Sequence, residues 1–279
     1  PNNVRTFYGL GNETANTDQQ REFYQAQLPE ADVEARLLWR LASRASLSLG
    51  PRVAFVDVRE DDDRCVTQAG IAPSTFEAQW FGGLAARADL DARDNIANPQ
   101  RGFRWTLDGT GNLGLNGDTE SYAQLESALA LYLPLAPQRV VLALRVGGAH
   151  NIGDFPFFAA NTLGSRETLR GYRRTRFAGR TSFYQNAELR ARVFRIQTYL
   201  TAIDLGVLGF VDNGRVWTEA DDTQTDPDGN RISQSLFEGY HQGYGGGLWA
   251  SFYDQFVVSG SVGASEEETL VEVGVGFKF

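Results

Sequence analysis

Leu163 to Arg190 reads LGSRETLRGYRRTRFAGRTSFYQNAELR, and its two halves follow different rules. The first is loop-like, punctuated by Gly164, Gly171 and Gly179, and holds Arg166, Arg170, Arg173, Arg174, Arg176 and Arg180 against a single acid, Glu167. The second alternates. Ala187, Leu189, Ala191 and Val193 share one face, and Asn186, Glu188, Arg190 and Arg192 the other, the pattern of a strand with one apolar and one charged side. Guanidinium groups crowded this closely need carboxylates from elsewhere in the fold, or water.

The same alternation recurs outward from this stretch in both directions, while helical periodicity is scarce. Leu47, Leu49, Val53 and Phe55 oppose Ser46, Ser48 and Arg52, and Val140, Leu142, Leu144 and Val146 oppose Ala143 and Arg145. At the end of the chain Val271, Val273, Val275, Phe277 and Phe279 oppose Glu272, Gly274, Gly276 and Lys278. The segments 4–12, 22–42, 44–59, 76–91, 100–110, 120–134, 138–149, 182–194, 197–217, 236–252, 255–263 and 267–279 predict about twelve strands, an even number that suits a closed up-and-down membrane barrel. Short connections near 43–44, 91–99, 136–137, 195–196 and 253–255 alternate with longer ones at 13–21, 60–75, 110–119, 150–181, 218–235 and 263–268. Short turns at one end and long loops at the other are the mark of an outer-membrane barrel. The expected fold is therefore all-β: a transmembrane antiparallel β-barrel forming a single domain over residues 1–279, with the long extracellular loop 150–181 folded into the lumen.

Composition narrows the function classes. The net charge of −9 argues against general nucleic-acid binding. Cys65 is the only cysteine, so no internal disulfide or cysteine-based metal site forms. No apolar run is long enough for a membrane-spanning helix. With no methionine and a start at Pro1, the sequence reads as a processed or excised piece from which an upstream periplasmic domain is expected to be missing. The acidic runs Asp61–Asp63, Asp221, Asp222, Asp226 and Asp228, and Glu266–Glu268 lack the spacing of a cation loop and read as solvated loop tips, with no metal expected. His150 and His241 are the only histidines, and neither falls in a serine or carboxylate arrangement. No catalytic residue and no cofactor is expected.

The carboxylates that the arginines need are on the strands. If Leu205, Val207 and Val211 face lipid, Phe210 and Asp212 point inward, as does Glu188 on the neighbouring strand. One loop arginine can then pair with both acids and stack on Phe210, a task that suits a planar guanidinium. Arg170, followed by Gly171, is the choice.

These residues carry a resemblance. LRGY (Leu169, Arg170, Gly171, Tyr172), NAELR at 186–190 and FVDNGRVW at 210–217 resemble the C-terminal barrel of the BamA-type outer-membrane insertases and two-partner-secretion transporters, the bacterial surface antigen family. The resemblance implies that Arg170 is the arginine of a loop tip folded into the lumen, met there by Asp212, Phe210 and a second acid, Glu188. DARDNIANPQRGF at 91–103 resembles the family's periplasmic hairpin, and GVGFKF its closing strand with a terminal aromatic. FYGLGNET looks like the first barrel strand of members fused to hydrolases. The chain departs from the family in having Leu169 where valine is commoner, about four fewer strands than the usual sixteen, and no periplasmic polypeptide-binding repeats.

The function implied is insertion or translocation of polypeptides across the outer membrane. Outer-membrane lipid, lipopolysaccharide and polypeptide clients are the implied partners, and the oligomeric state is left open. The expected weak seam joins segment 4–12, with Gly9 and Gly11, to the last strand, with Gly274, Gly276 and Phe279, because glycine in strands weakens pairing. The alternative is an anchor or export conduit for a fused hydrolase domain. A passive pore fits poorly with a lumen occupied by the loop.

Overall fold

Strands dominate the computed structural model, which describes residues 4–16, 18–69, 71, 73–117, 119–137, 139–197, 202–218, 239–253 and 255–279. In chain order they are β1 (Val4–Thr6), β2 (Gln25–Gln27), β3 (Glu30–Glu34), β4 (Leu37–Ala42), β5 (Ala45–Val56), β6 (Gln79–Asp91), β7 (Gly102–Gly114) and β8 (Tyr122–Ala136). They continue with β9 (Val140–Gly153), β10 (Asn161–Leu163), β11 (Phe177–Gly179), β12 (Thr181–Gln197), β13 (Ala202–Trp217), β14 (His241–Phe252), β15 (Phe256–Ala264) and β16 (Thr269–Val275). Short helices α1 (Cys65–Gln68) and α2 (Ser165–Thr168) sit in the connections.

One antiparallel sheet of twelve strands runs β16-β15-β14-β13-β12-β9-β8-β7-β6-β5-β3, with β4 also on β5. Since β3 and β4 pair end to end along β5, they are one interrupted stave, and among the described residues twelve strands less one make a wall of eleven. The interruption has a cause in the sequence. Ala35 and Arg36 lie opposite Gly50 and Pro51, and Pro51 has no N–H to give to a ladder; only Ala35 N donates across, to Pro51 O at 3.1 Å.

The side-chain alternation turns the wall inside out relative to a soluble sheet. Leu189, Val207, Val211, Leu248, Val271, Val273 and Val275 are exposed on the outer face, whereas Glu188, Arg190 and Asp212 are buried on the inner one. An apolar exterior around a polar interior is the pattern of a membrane barrel.

The structure corrects the sequence reading at both ends. Segment 4–12 is not a wall strand: β1 pairs with β2 in a separate two-stranded ribbon, and Gly9 and Gly11 adopt φ of +106° and +110° outside any wall strand. Its weak alternation leaves no continuous apolar face to present to lipid. Instead Gly11 N donates to Ala178 O at 2.8 Å and the Asn12 side chain exchanges hydrogen bonds with the backbone of Val216. The last strand stops at Val275. Gly276, at φ +82°, turns the chain inward and carries Phe277 and Phe279 off the outer face that the alternation assigned them. Among the described residues no ladder joins β16 to β3 or β4; of the residues expected at the seam, Gly9 and Gly11 lie outside the wall, Gly276 and Phe279 follow the end of β16, and Gly274 lies in an edge strand.

Connection lengths also differ from strict alternation. β7 runs on to Gly114 and β15 reaches Ala264, so two of the expected long loops shrink to 115–121 and 265–268. β12 continues through the expected turn at 195–196 to Gln197. Asp221, Asp222, Asp226 and Asp228 lie outside the described residues.

Candidate functional site

The connection between β9 and β12 is tied off before it enters the barrel. β10 and β11 form a hairpin at its neck, with Asn161 opposite Gly179 and Leu163 opposite Phe177. Leu163, Leu169, Tyr172 and Phe177 bury themselves with Tyr184 and Val216 of the wall, so an apolar plug fixes the tip that carries Arg170. Gly171 takes φ +90°, a conformation that a side chain resists.

Arg170 is 2% exposed. Its Nε donates to Asp212 Oδ2 at 2.8 Å, its Nη2 to Asp212 Oδ1 at 2.9 Å, and its backbone N to Oδ2 at 3.1 Å. Nη1 donates to Glu188, and the guanidinium carbon lies 3.4 Å from the centre of the Phe210 ring. The geometry thus brings Arg170, Asp212, Glu188 and Phe210 into one cluster. Burial alone would lower the guanidinium's pKa, but the Asp212 and Glu188 carboxylates outweigh it and the shift is upward. Leu169 is fully buried, and the Tyr172 hydroxyl reaches Glu266 at 3.4 Å; burial, reinforced by the negative charge of Glu266, pushes that phenol up.

Several members of the cluster escaped sequence reasoning. Lys278, on the inward-turned tail, donates to Asp212 Oδ2 at 2.8 Å and to Thr168 O at 3.1 Å. Arg190 donates to Glu188 Oε1 at 2.7 Å and lies 3.8 Å from the Phe277 ring centre. Three cations therefore surround two acids. The cradle for the tip is made of absent side chains. A Cβ on Gly243 would run into the Arg170 carbonyl oxygen, and one on Gly263 would approach Gly171 N to 2.9 Å. One on Gly245 would meet Phe210 Cζ at 2.7 Å. The run GYGGG in β14 was the available signal, since glycine in a strand marks close backbone approach.

The acidic turn 265–268 is not merely solvated. Arg173 Nε and Nη2 meet Glu268 at 2.6 and 2.9 Å, and Arg176 Nε meets Glu267 at 2.9 and 2.8 Å. Arg176 also reaches Thr14 of the N-terminal segment at 2.6 Å, and Asn16 donates to Glu267 at 2.9 Å. The loop is thus clamped from inside by Asp212 and Glu188 and from above by the 265–268 turn and residues 11–16. His241 stacks on Phe177 at 3.7 Å, with Nδ1 3.1 Å from Glu266. Of the residues assigned to the seam, Gly9 and Gly11 lie outside the wall, Phe279 faces Tyr132 inside it, and Gly274 lies against Arg166.

Comparison with known proteins agrees with this architecture. Residues 3–261 match the Omp85 superfamily domain. Among solved structures, BamA from Haemophilus ducreyi lacking POTRA domains 1–3 superposes with a TM-score of 0.65 at 15% identity, over 90% of this chain and 55% of that one. CdiB from Escherichia coli superposes with a TM-score of 0.58 at 10% identity, over 91% of this chain and 46% of that one. The chain thus spans about half the length of each. No curated protein matches the sequence.

Proposed function

The chain belongs to the Omp85 superfamily, and from that premise we propose that it assists the insertion or translocation of polypeptides, with the Arg170 loop bracing the lumen. Its wall is a bacterial outer-membrane β-barrel. The observation that carries the proposal is the seat of the loop tip: a buried guanidinium shared by two inner-wall acids and stacked on an aromatic ring. Such a brace keeps the lumen from acting as an open pore, and its release would open a path for a chain. The partners are polypeptide clients, with outer-membrane lipid and lipopolysaccharide around the wall. Among the described residues no ladder joins β16 to β3 or β4, and those two edges are where we place an incoming strand. The fused-hydrolase reading leaned on FYGLGNET and on the lack of polypeptide-binding repeats; of these, FYGLGNET lies over the loop and not in the wall.

The test is reconstitution into lipid vesicles with an unfolded outer-membrane barrel as client. Vesicles carrying this protein should speed the appearance of the folded, heat-modifiable client over empty vesicles. Rates equal to those of empty vesicles would count against insertion, and a large steady conductance in planar bilayers would count against the brace.

A further inference from the structure

The turns at the end of the barrel opposite the 150–181 loop carry a charge pattern of their own. β4 and β5, β6 and β7, and β8 and β9 are joined there by connections at 43–44, 92–101 and 137–139, and each has an exposed arginine: Arg44, Arg101 and Arg139. Acids gather in connections at the other end, at 60–63, 154 and 266–268. The net charge of −9 is therefore unevenly shared between the two ends.

The middle connection is built to hold its shape. The ladder of β6 and β7 runs on into it, Ala92 N donating to Phe103 O at 2.8 Å and Asp94 N to Arg101 O at 3.1 Å. Asp94 Oδ1 accepts from the backbone N of Gln100 and of Arg101, at 3.0 and 3.2 Å. Asn95 Oδ1 accepts from those of Ala97 and Asn98, at 2.8 and 2.9 Å. Arg93 holds Asp91 by two prongs, at 2.9 and 2.7 Å, and its Nη1 reaches Ile96 O at 3.3 Å. The hairpin's two acids are thus spent on its own backbone and on Arg93. Arg101 is different: its side chain is 77% exposed, and its guanidinium comes no nearer to Asp94 than 3.9 Å. Ile96, at the tip, is also 77% exposed. Strand alternation puts Arg101 on the same outward face as Phe103 and Trp105.

An aliphatic side chain and free cations presented together beside a lipid-facing wall supply the two parts of interfacial binding. One is apolar burial at the boundary of headgroups and acyl chains, the other attraction to anionic headgroups. Guanidinium groups match phosphate oxygens in geometry as well as charge. The wall fixes the height, since Phe103 and Trp105 lead outward-facing aromatics down to Arg101, as an interfacial girdle does. Arg44 is held beside the hairpin by its own carbonyl, which accepts from Asp91 N at 2.9 Å. We propose that the hairpin 91–103 anchors the rim of the barrel to the periplasmic leaflet. Ile96 enters the headgroup boundary, and Arg101, flanked by Arg44 and Arg139, holds the phosphate of an anionic phospholipid. The proposal rests on the outer-membrane placement and is independent of what the barrel handles.

The test uses the folded full chain, its folded state read first from gel mobility without boiling. Ile96→Cys, in a Cys65→Ala background, carries a nitrobenzoxadiazole probe into vesicles of phosphatidylcholine with or without phosphatidylglycerol. Probe emission should be blue-shifted from that of the urea-unfolded chain and quenched by doxyl-labelled lipid, more strongly with phosphatidylglycerol present. Native mass spectrometry from micelles should show phosphatidylglycerol retained over phosphatidylcholine. Arg101→Gln should lower that retention about fivefold, and Arg44→Gln and Arg139→Gln should add to the loss. Arg174→Gln, an exposed arginine of the 150–181 loop, should leave it unchanged. Water-like emission without doxyl quenching would overturn the anchor, and retention untouched by Arg101→Gln would overturn the headgroup assignment. Release of the lipid by inorganic phosphate alone would make the site one for a free anion and overturn the leaflet contact. Oligoglutamate bound more tightly than phosphatidylglycerol, and lost with Arg101→Gln, would hand the arginines to an acidic polypeptide instead. A chain that never shows heat-modifiable folding in micelles would overturn the membrane placement and the anchor with it.

Discussion

Replacing Arg170 by alanine removes the side chain on which the most buried charges converge, and its cost can be worked from the cluster. The substitution deletes two charge-assisted hydrogen bonds to Asp212, one to Glu188 and the stacking on Phe210. Breaking a buried ion pair costs about 3–5 kcal/mol when it strands a charge. Neither acid is stranded here: Asp212 keeps Lys278 at 2.8 Å and Glu188 keeps Arg190 at 2.7 Å. The expected loss therefore sits at the lower end, about 3 kcal/mol. Arg170→Lys keeps the charge but loses the fork and most of the stacking, so about 1–2 kcal/mol should go. Arg174→Ala, on an exposed side chain, is the control and should change nothing measurable. The assay is the urea midpoint of the fast-migrating folded band on unboiled gels, from protein in detergent micelles. An Arg170→Ala barrel that unfolds with the wild-type midpoint would refute the reasoning.

Three further outcomes follow from the same geometry. Gly243→Val places a side chain where the Arg170 carbonyl oxygen now sits; overpacking of about 1–3 kcal/mol should dislodge the tip, read as faster trypsin cleavage in 154–180 of the folded barrel. Lys278→Met should cost less than Arg170→Ala, within about 1 kcal/mol, because Asp212 keeps its two-pronged arginine; the same urea series checks it. Burial pushes the Cys65 thiol up, and the thiolate is the reactive form. Maleimide labelling of the folded barrel should therefore be slower near neutrality than that of the urea-unfolded chain. Its rise with pH should fall at a more alkaline value, and coincident pH profiles would contradict the shift.

Much of the wall was legible because lipid leaves so little choice. Alternation in Leu189 through Val193 or Val207 through Val211 separates faces wherever one side must be apolar and the other polar. The acids opposite Arg170 followed from the same parity, since Asp212 and Glu188 could only point inward. The ends of the chain were not legible by parity. The alternation of VEVGVGFKF continues to Phe279, yet Gly276 permits a left-handed turn that the pattern cannot register. FYGLGNET resembled a first barrel strand, but it bonds to Ala178 and Val216, which are distant in sequence, and joins no wall strand. Lys278, Arg190, Glu267 and Glu268 were missed for a common reason: charges on a polar inner face or in an outer turn look solvated until the loop is seated over them. Gly243 and Gly263 were missed because a residue that acts by lacking a side chain leaves only a gap in the apolar pattern.

The most direct measurement is a double-mutant cycle between Arg170→Ala and Asp212→Asn, read as unfolding free energies in the same micelles. If the loop tip is seated on the inner wall, the two substitutions remove one interaction, and the cycle should give a coupling of about 2 kcal/mol or more. Losses that simply add, to within about 0.5 kcal/mol, would mean that the guanidinium and the carboxylate do not meet, and would contradict the brace.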